Sequence, residues 1–102
     1  MSNAALAVIN ANDALCLALL GRSATSETHA QAADWLQEAA RRAGLEEAGA
    51  EQARHFRAVV GPKNEAQYGR AETTNDAADR IMKQAKRFID WVDEVLRSRG
   101  AG

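Results

Sequence analysis

The sequence NDAADRIMKQAKRFIDWVDEVLR (residues 75–97) carries the clearest amphipathic pattern in the chain. Its apolar residues recur at alternating intervals of three and four, which aligns them along one side of an α-helix. This stripe contains Ala78, Ile81, Ala85, Phe88, Val92 and Val95, and is widened by Met82, Ile89 and Leu96. The opposite side is charged. The pattern predicts a final helix that begins near Asn75 and buries its apolar side against other helices.

The stretch GPKNEAQYGR (residues 61–70) precedes this helix and is the only long interruption in a helical chain. Pro62 cannot donate a backbone hydrogen bond, so the helix before it must end there. The same stretch holds the densest set of polar side chains that could bind a ligand or take part in a reaction, which are Lys63, Asn64, Tyr68 and Arg70. We therefore place the candidate site in it.

Three earlier helices are predicted over residues 4–20, 27–43 and 45–60. Gly21 and Gly44 stand at the expected helix ends. The buried stripe of the second helix contains Ala32, Trp35, Leu36, Ala39 and Ala43. Gly49 lies in the stripe of the third helix and favours close backbone approach.

No segment alternates with period two over the length of a strand. Four helices with short connections predict an all-α fold, an up-and-down four-helix bundle. We expect one domain over residues 1–102, with residues 1–3 and 98–102 frayed.

The first helix is apolar on two sides. Leu6, Ile9, Cys16, Leu17 and Leu20 form the main stripe, and a second stripe contains Val8, Leu15 and Leu19. Such a helix must be covered on both sides. The favoured interpretation is a homodimer through this helix, and the alternative is a central helix buried within the monomer.

Asp13 lies within the main stripe, with Asn10 beside it. A carboxylate in an apolar stripe needs a partner. Asp13 and Asn10 are therefore candidate binding residues that orient groups such as Lys63 or Arg70. Equally, Asp13 could form an ordinary salt bridge at the solvent-exposed end of the stripe.

The composition and net charge of the chain limit the functions that it can have. The net charge of the 102-residue chain is −1, which gives no general attraction to nucleic acid or to a membrane surface. A single cysteine, Cys16, excludes an intramolecular disulfide and favours a reducing compartment. Because no apolar run approaches the length of a membrane span and no signal peptide is evident, we expect a cytoplasmic protein. No ligand spacing suggests a metal site, and we expect no cofactor.

The chain resembles the HEPN superfamily, and in particular its small actinobacterial-type members. The resemblance rests on ANDALCLALLGR (residues 11–22), on the pattern Lys63-Asn64-x-x-x-Tyr68, and on a final amphipathic helix rich in Ala, Phe, Ile and Val. It implies a helical bundle that commonly dimerises. Many members are metal-independent ribonucleases, often toxins paired with a nucleotidyltransferase-type antitoxin, and others are inactive RNA-binding or partner-binding modules.

Active members carry an arginine, then a polar residue, then a histidine after four to six residues. This chain has Lys63 in place of the arginine, keeps Asn64, and has Tyr68 in place of the histidine. Lysine loses the bidentate grip on phosphate. A tyrosine with a pKa near ~10 is a poor general base at pH 7.

The resemblance therefore implies a binding module for RNA, a nucleotide or a protein partner. The alternative is a metal-independent endoribonuclease or toxin in which Lys63 holds phosphate, Asn64 orients it and Tyr68 transfers the proton. His55 is a weaker candidate for the missing histidine, because it precedes the motif. Cys16 is more typical of a buried apolar residue than of a nucleophile.

Overall fold

A computed structural model describes residues 3–22, 29–61 and 75–99 of the chain. These residues form four α-helices: α1 (Asn3–Leu20), α2 (His29–Arg42), α3 (Glu46–Val60) and α4 (Asn75–Ser98). No β-strand occurs within these three ranges. The predicted all-α fold with four helices is confirmed for them, and their boundaries lie close to the predicted ones.

Glycines end the first two helices as predicted. Gly21 has φ 74° and Gly44 has φ 76°, a left-handed conformation that side chains with a Cβ rarely adopt. After α2 the backbone forms a Schellman motif, in which Gly44 N–H donates to Arg41 O at 3.1 Å and Leu45 N–H donates to Ala40 O at 2.8 Å. This motif turns the chain sharply into α3.

The predicted stripe of α4 supplies one wall of the main core. Phe88 is fully buried, with Ala85, Val92 and Val95 on the same side. Its ring packs on Phe56 of α3 with centroids 5.6 Å apart and planes tilted by 55°. Met82, which was predicted to widen this stripe, is instead 59% exposed.

Helices α2 and α3 form a close antiparallel pair. Gly49 is buried directly against Ala40, where an added Cβ would collide with the Ala40 Cβ. Nearer the other end of the pair, Arg57 makes an ion pair with Asp34 at 3.7 Å. The predicted close approach at Gly49 is therefore confirmed. In the stripe predicted for α2, Leu36 and Ala39 are fully buried, whereas Trp35 is only partly so.

The buried face of α1 differs from the predicted one. The core side carries the second stripe, with Val8 and Leu15 fully buried, together with Asn12 and Cys16. Leu6 and Leu17 of the predicted main stripe are 52% and 54% exposed. Other polar and apolar residues of that stripe, Asp13 and Ile9 among them, are partly buried. The core therefore lies on the side of α1 that carries the predicted second stripe.

All four helices contribute to the main core. Helix α1 packs against the other three, and α3 packs against α2 and α4. Asn12 contacts Ala32 near the start of α2, whereas Cys16, one turn later, clusters with Ala39. Both contacts join α1 to α2, and the up-and-down order of the four helices stays a prediction.

Helix α1 is, by length and composition alone, long and apolar enough to cross a membrane. The core helix of a water-soluble protein passes the same test, and a third of this helix (33%) is buried inside the protein. The absence of a membrane span and the cytoplasmic location stay predictions.

Candidate functional site

The residues predicted to do chemistry lie outside the described part of the chain. Lys63, Asn64, Tyr68 and Arg70 all fall between Gly61 and Asn75, the last and first described residues on either side. Their roles stay predictions. What the structure does establish is the frame to which this segment is joined.

That frame consists of two helices packed on each other. The last turn of α3 is anchored because Val59 and Val60 are buried, and Phe56 one turn earlier contacts Phe88 of α4. Gly61 then leaves the helix in an extended conformation, with φ −65° and ψ 145°. A residue before proline prefers such a conformation. The end of α3 is therefore well packed, whereas the contact at Phe88 lies well beyond the start of α4 at Asn75.

Asn10 and Asp13, the predicted binding residues on α1, lie on the outer side of that helix. Asn10 is exposed and Asp13 is partly buried. At 100° per residue they flank the line that joins Leu6 and Leu17. They therefore share a surface with two exposed leucines rather than projecting into the core.

The buried polar residue on α1 is Asn12, which sequence reasoning missed. Its side chain is 1% exposed. Its Nδ2 donates to the backbone carbonyl of Ala32 at 3.1 Å, and its Oδ1 accepts a hydrogen bond from Cys16 Sγ at 3.6 Å. The sequence signal was present, because Val8, Asn12 and Cys16 follow one another at intervals of four on the core side.

Cys16 is held in a form that resists ionisation. Burial of the thiol raises its pKa from 9.0 to about 11, and the negative charge of Asp13 adds to this effect. Because the thiolate is the reactive form of cysteine, this environment excludes a ready nucleophile at neutral pH. The prediction of a small buried residue is confirmed.

The role of His55 as a replacement for the missing histidine stays a prediction. His55 lies within α3, partly buried, with its Nδ1 3.0 Å from Gln52 Oε1. A residue one turn earlier on the same helix therefore engages one ring nitrogen. No group of three or more His, Cys, Asp or Glu side chains suited to a metal ion occurs among residues 3–22, 29–61 and 75–99.

Trp35 packs as an anchor between α1 and α2. It contacts the small cluster formed by Cys16 and Ala39, and the guanidinium of Arg22 lies 4.6 Å from its ring centroid. An arginine over an aromatic face is a favourable cation–π contact. Trp35 thus holds Arg22, which follows α1, against α2.

A shallow cleft of about 340 Å³ opens between α2 and α3, and its polar lining includes Asp34, Glu38, Arg41 and Glu46. Glu38 accepts from Arg41 at 2.6 Å and from Arg42 at 2.6 Å, and these hydrogen bonds lower the pKa of its carboxyl group. The charges in this cleft are largely paired on the protein itself.

Comparisons with protein-family models, with curated proteins and with solved structures found no match. A function for this protein is therefore proposed from its own residues.

Proposed function

We propose that this protein is an HEPN-like helical domain that acts without catalysis as a binding module for RNA, a nucleotide or a protein partner. Its binding segment is the connection between α3 and α4. The observation that carries this proposal is the pattern Lys63-Asn64-x-x-x-Tyr68-x-Arg70 in that connection. Two cations, an amide and a phenol within eight residues form a compact set of groups suited to phosphate and base contacts.

The packing of the two flanking helices supports a binding role. The segment is joined to α3 and α4, which contact each other through Phe56 and Phe88. Lys63 and Arg70 supply positive charge, which neutralises phosphates, and Tyr68 supplies a ring on which a base can stack. Because the net charge of the whole chain is −1, attraction to a polyanion must come from such a local group.

The chemistry of the same residues argues against catalysis. A lysine at position 63 is a point charge and lacks the planar fork that holds a phosphate through two hydrogen bonds. A tyrosine at position 68 stays protonated at neutral pH unless its pKa is strongly lowered. The two groups are suited to holding a phosphodiester rather than to moving its protons.

The binding test uses fluorescence anisotropy of a labelled single-stranded RNA at low and at physiological salt. Wild-type protein is compared with Lys63→Ala/Arg70→Ala, and with Lys83→Ala/Arg87→Ala, which removes two exposed cations from α4. Both variants remove two positive charges, so they differ only in where those charges lie. We expect the first variant to lose binding and the second to keep it. Equal affinity for all three proteins would contradict an RNA site in the segment, and adenine nucleotides would then be the next probe.

The alternative is a metal-independent ribonuclease, with a toxin role beside a nucleotidyltransferase-type partner. Lys63 and Tyr68 are separated by four residues, which matches the spacing of the family motif. This spacing supports the ribonuclease alternative. It predicts growth arrest on overexpression that is lost in Lys63→Ala and in Tyr68→Phe. Normal growth with the wild-type protein contradicts the toxin role.

A further inference from the structure

The charges of α3 are separated along the helix. Its first half carries three glutamates, and its second half carries two exposed arginines, Arg54 and Arg57. No aspartate or glutamate lies between Gln52 and Gly61. The end of α3 that leads into residues 61–70 is therefore its basic end.

The two arginine side chains at this end are held weakly or not at all by the rest of the protein. Arg57 Nη2 lies 3.7 Å from Asp34 Oδ1 and 3.4 Å from Gln37 Oε1, and its side chain is 44% exposed. These distances exceed the value of about 2.9 Å that is usual between a nitrogen donor and an oxygen acceptor. Within the described part of the chain, Arg54 forms no hydrogen bond or ion pair. Both guanidinium groups are therefore free to meet a ligand.

The helix on the other side of the segment begins with the opposite charge. Asp76 and Asp79 are exposed and are the only charged residues among the first five of α4. A polyanion bound at residues 61–70 is repelled by these carboxylates and attracted by Arg54 and Arg57. Charge therefore directs a bound strand over the end of α3 rather than over the start of α4.

We propose that Arg54 and Arg57 bind phosphates of a single-stranded RNA whose other nucleotides contact residues 61–70. This inference rests on the proposed binding function and narrows its ligand to a strand of several nucleotides. Arg54 lies seven residues before Gly61, which is about 10 Å along the axis of an α-helix. A mononucleotide contacts only one end of such a track, whereas a strand carries a negative charge at every nucleotide and contacts both ends.

The test is fluorescence anisotropy of a labelled twelve-nucleotide single-stranded RNA at several salt concentrations. We expect Arg54→Ala/Arg57→Ala, the α3 double variant, to raise the dissociation constant about tenfold. It should also reduce the slope of log affinity against log salt concentration by about 1.4, since each phosphate contact of a single strand contributes about 0.7. Arg54→Lys/Arg57→Lys keeps the charge and most of the affinity. Lys83→Ala/Arg87→Ala removes the same charge from α4 and leaves the affinity unchanged.

Removal of a carboxylate beside Arg57 gives a prediction of the opposite sign. Asp34→Asn releases Arg57 and takes away a charge that repels phosphate, so we expect the affinity for the RNA to rise about threefold. Asp90→Asn is the matched control, because it also removes one carboxylate from an exposed ion pair, here with Lys86 at 2.8 Å on α4. This control binds the RNA as the wild-type protein does.

The outcomes separate this inference from the proposed function. If Lys63→Ala/Arg70→Ala loses binding while the α3 double variant keeps it, the segment binds RNA without α3 and this inference alone is overturned. If the wild-type protein binds no RNA, both fail. A lower free energy of unfolding with unchanged affinity assigns the two arginines to the stability of α3 and overturns their role in binding. Competition by poly-L-glutamate as effective as that by unlabelled RNA indicates an acidic protein partner and overturns the choice of a nucleic-acid strand.

Discussion

Asn12 and Ala32 are 20 positions apart in the chain and are joined by a buried hydrogen bond, in which Asn12 Nδ2 donates to the Ala32 carbonyl oxygen at 3.1 Å. The amide oxygen of the same side chain accepts from the Cys16 thiol. Both ends of a side chain that is 1% exposed are therefore satisfied. This contact joins α1 to the start of α2.

We expect Asn12→Ala to lower the free energy of unfolding by about 2 kcal/mol, because it removes a buried hydrogen bond, leaves a small cavity and deprives the Cys16 thiol of its acceptor. Asn12→Asp should lower it further, since a buried carboxylate has no proton to donate to the Ala32 carbonyl. Urea unfolding followed by circular dichroism measures both losses. Asn3→Ala, at an exposed asparagine of the same helix, is the control and should change stability little. Equal stability of Asn12→Ala and wild type would show that this bond does not hold the two helices.

Gly49→Ala should destabilise the protein although alanine is the better helix former. The new Cβ would collide with the Cβ of Ala40. Separating α2 from α3 to relieve this contact typically costs about 1–3 kcal/mol, more than the gain of about 1 kcal/mol in helix propensity. Thermal or urea unfolding gives the net change.

The double variant Gly49→Ala/Ala40→Gly tests the cause of that loss. It moves the missing methyl group from one helix to the other and keeps the close approach. The free energy of unfolding of the double variant should exceed, by about 1 kcal/mol or more, the value expected from adding the changes of the two single variants. Additive effects would mean that the Gly49–Ala40 contact is not what limits the helix spacing.

The Cys16 thiol gives the protein a defined dependence on alkaline pH. Its pKa is about 11 in the folded protein and 9.0 without the fold. Above pH 9 the unfolded chain loses this proton while the folded chain keeps it, so the folded state loses stability as pH rises. The loss is on the order of 2 kcal/mol between pH 9 and pH 11, and Cys16 contributes no pH dependence well below pH 9.

Cys16→Ala isolates this contribution from the other groups that titrate at high pH. The difference in unfolding free energy between wild type and Cys16→Ala should shrink steadily across this window and stay constant at neutral pH. A difference that is independent of pH up to 11 would contradict the raised pKa of the buried thiol.

The helices that sequence reasoning described best are those with one apolar side. In α4 the charged side leaves a single orientation, so Phe88 and Val92 fall in the core as predicted. Gly49 was likewise predictable, because a glycine inside a buried stripe is typical of a point where two helix backbones come close. Met82 lies at the edge of the stripe, where the position of neighbouring helices rather than the pattern decides exposure.

Helix α1 was harder to predict because apolar residues surround it. With leucines on both sides, periodicity alone does not say which side faces the core. Asn12 lies on the side that was ranked second, and an asparagine normally argues against burial. The backbone carbonyl of Ala32, which makes that burial possible, belongs to another helix and cannot be read from the local pattern.

The support for the candidate site comes mainly from the sequence, whereas the support for the fold comes mainly from the structure. Lys63, Asn64, Tyr68 and Arg70 lie outside the described ranges, whereas Asn10 and Asp13 lie on the outer face of α1. Helix patterns depend on local spacing, which a sequence displays. A site depends on which groups from distant positions meet, and spacing does not determine that.

The measurement that tests the central claim most directly is incubation of purified protein with end-labelled single-stranded RNA in the absence of metal, read on both native and denaturing gels. Lys63→Ala/Tyr68→Phe and Lys83→Ala, prepared identically, run beside the wild type. We expect the wild type and Lys83→Ala to retard the RNA and leave it intact, and the double variant to lose retardation. Cleavage by the wild type that disappears in the double variant would contradict a non-catalytic module and establish a ribonuclease at this segment.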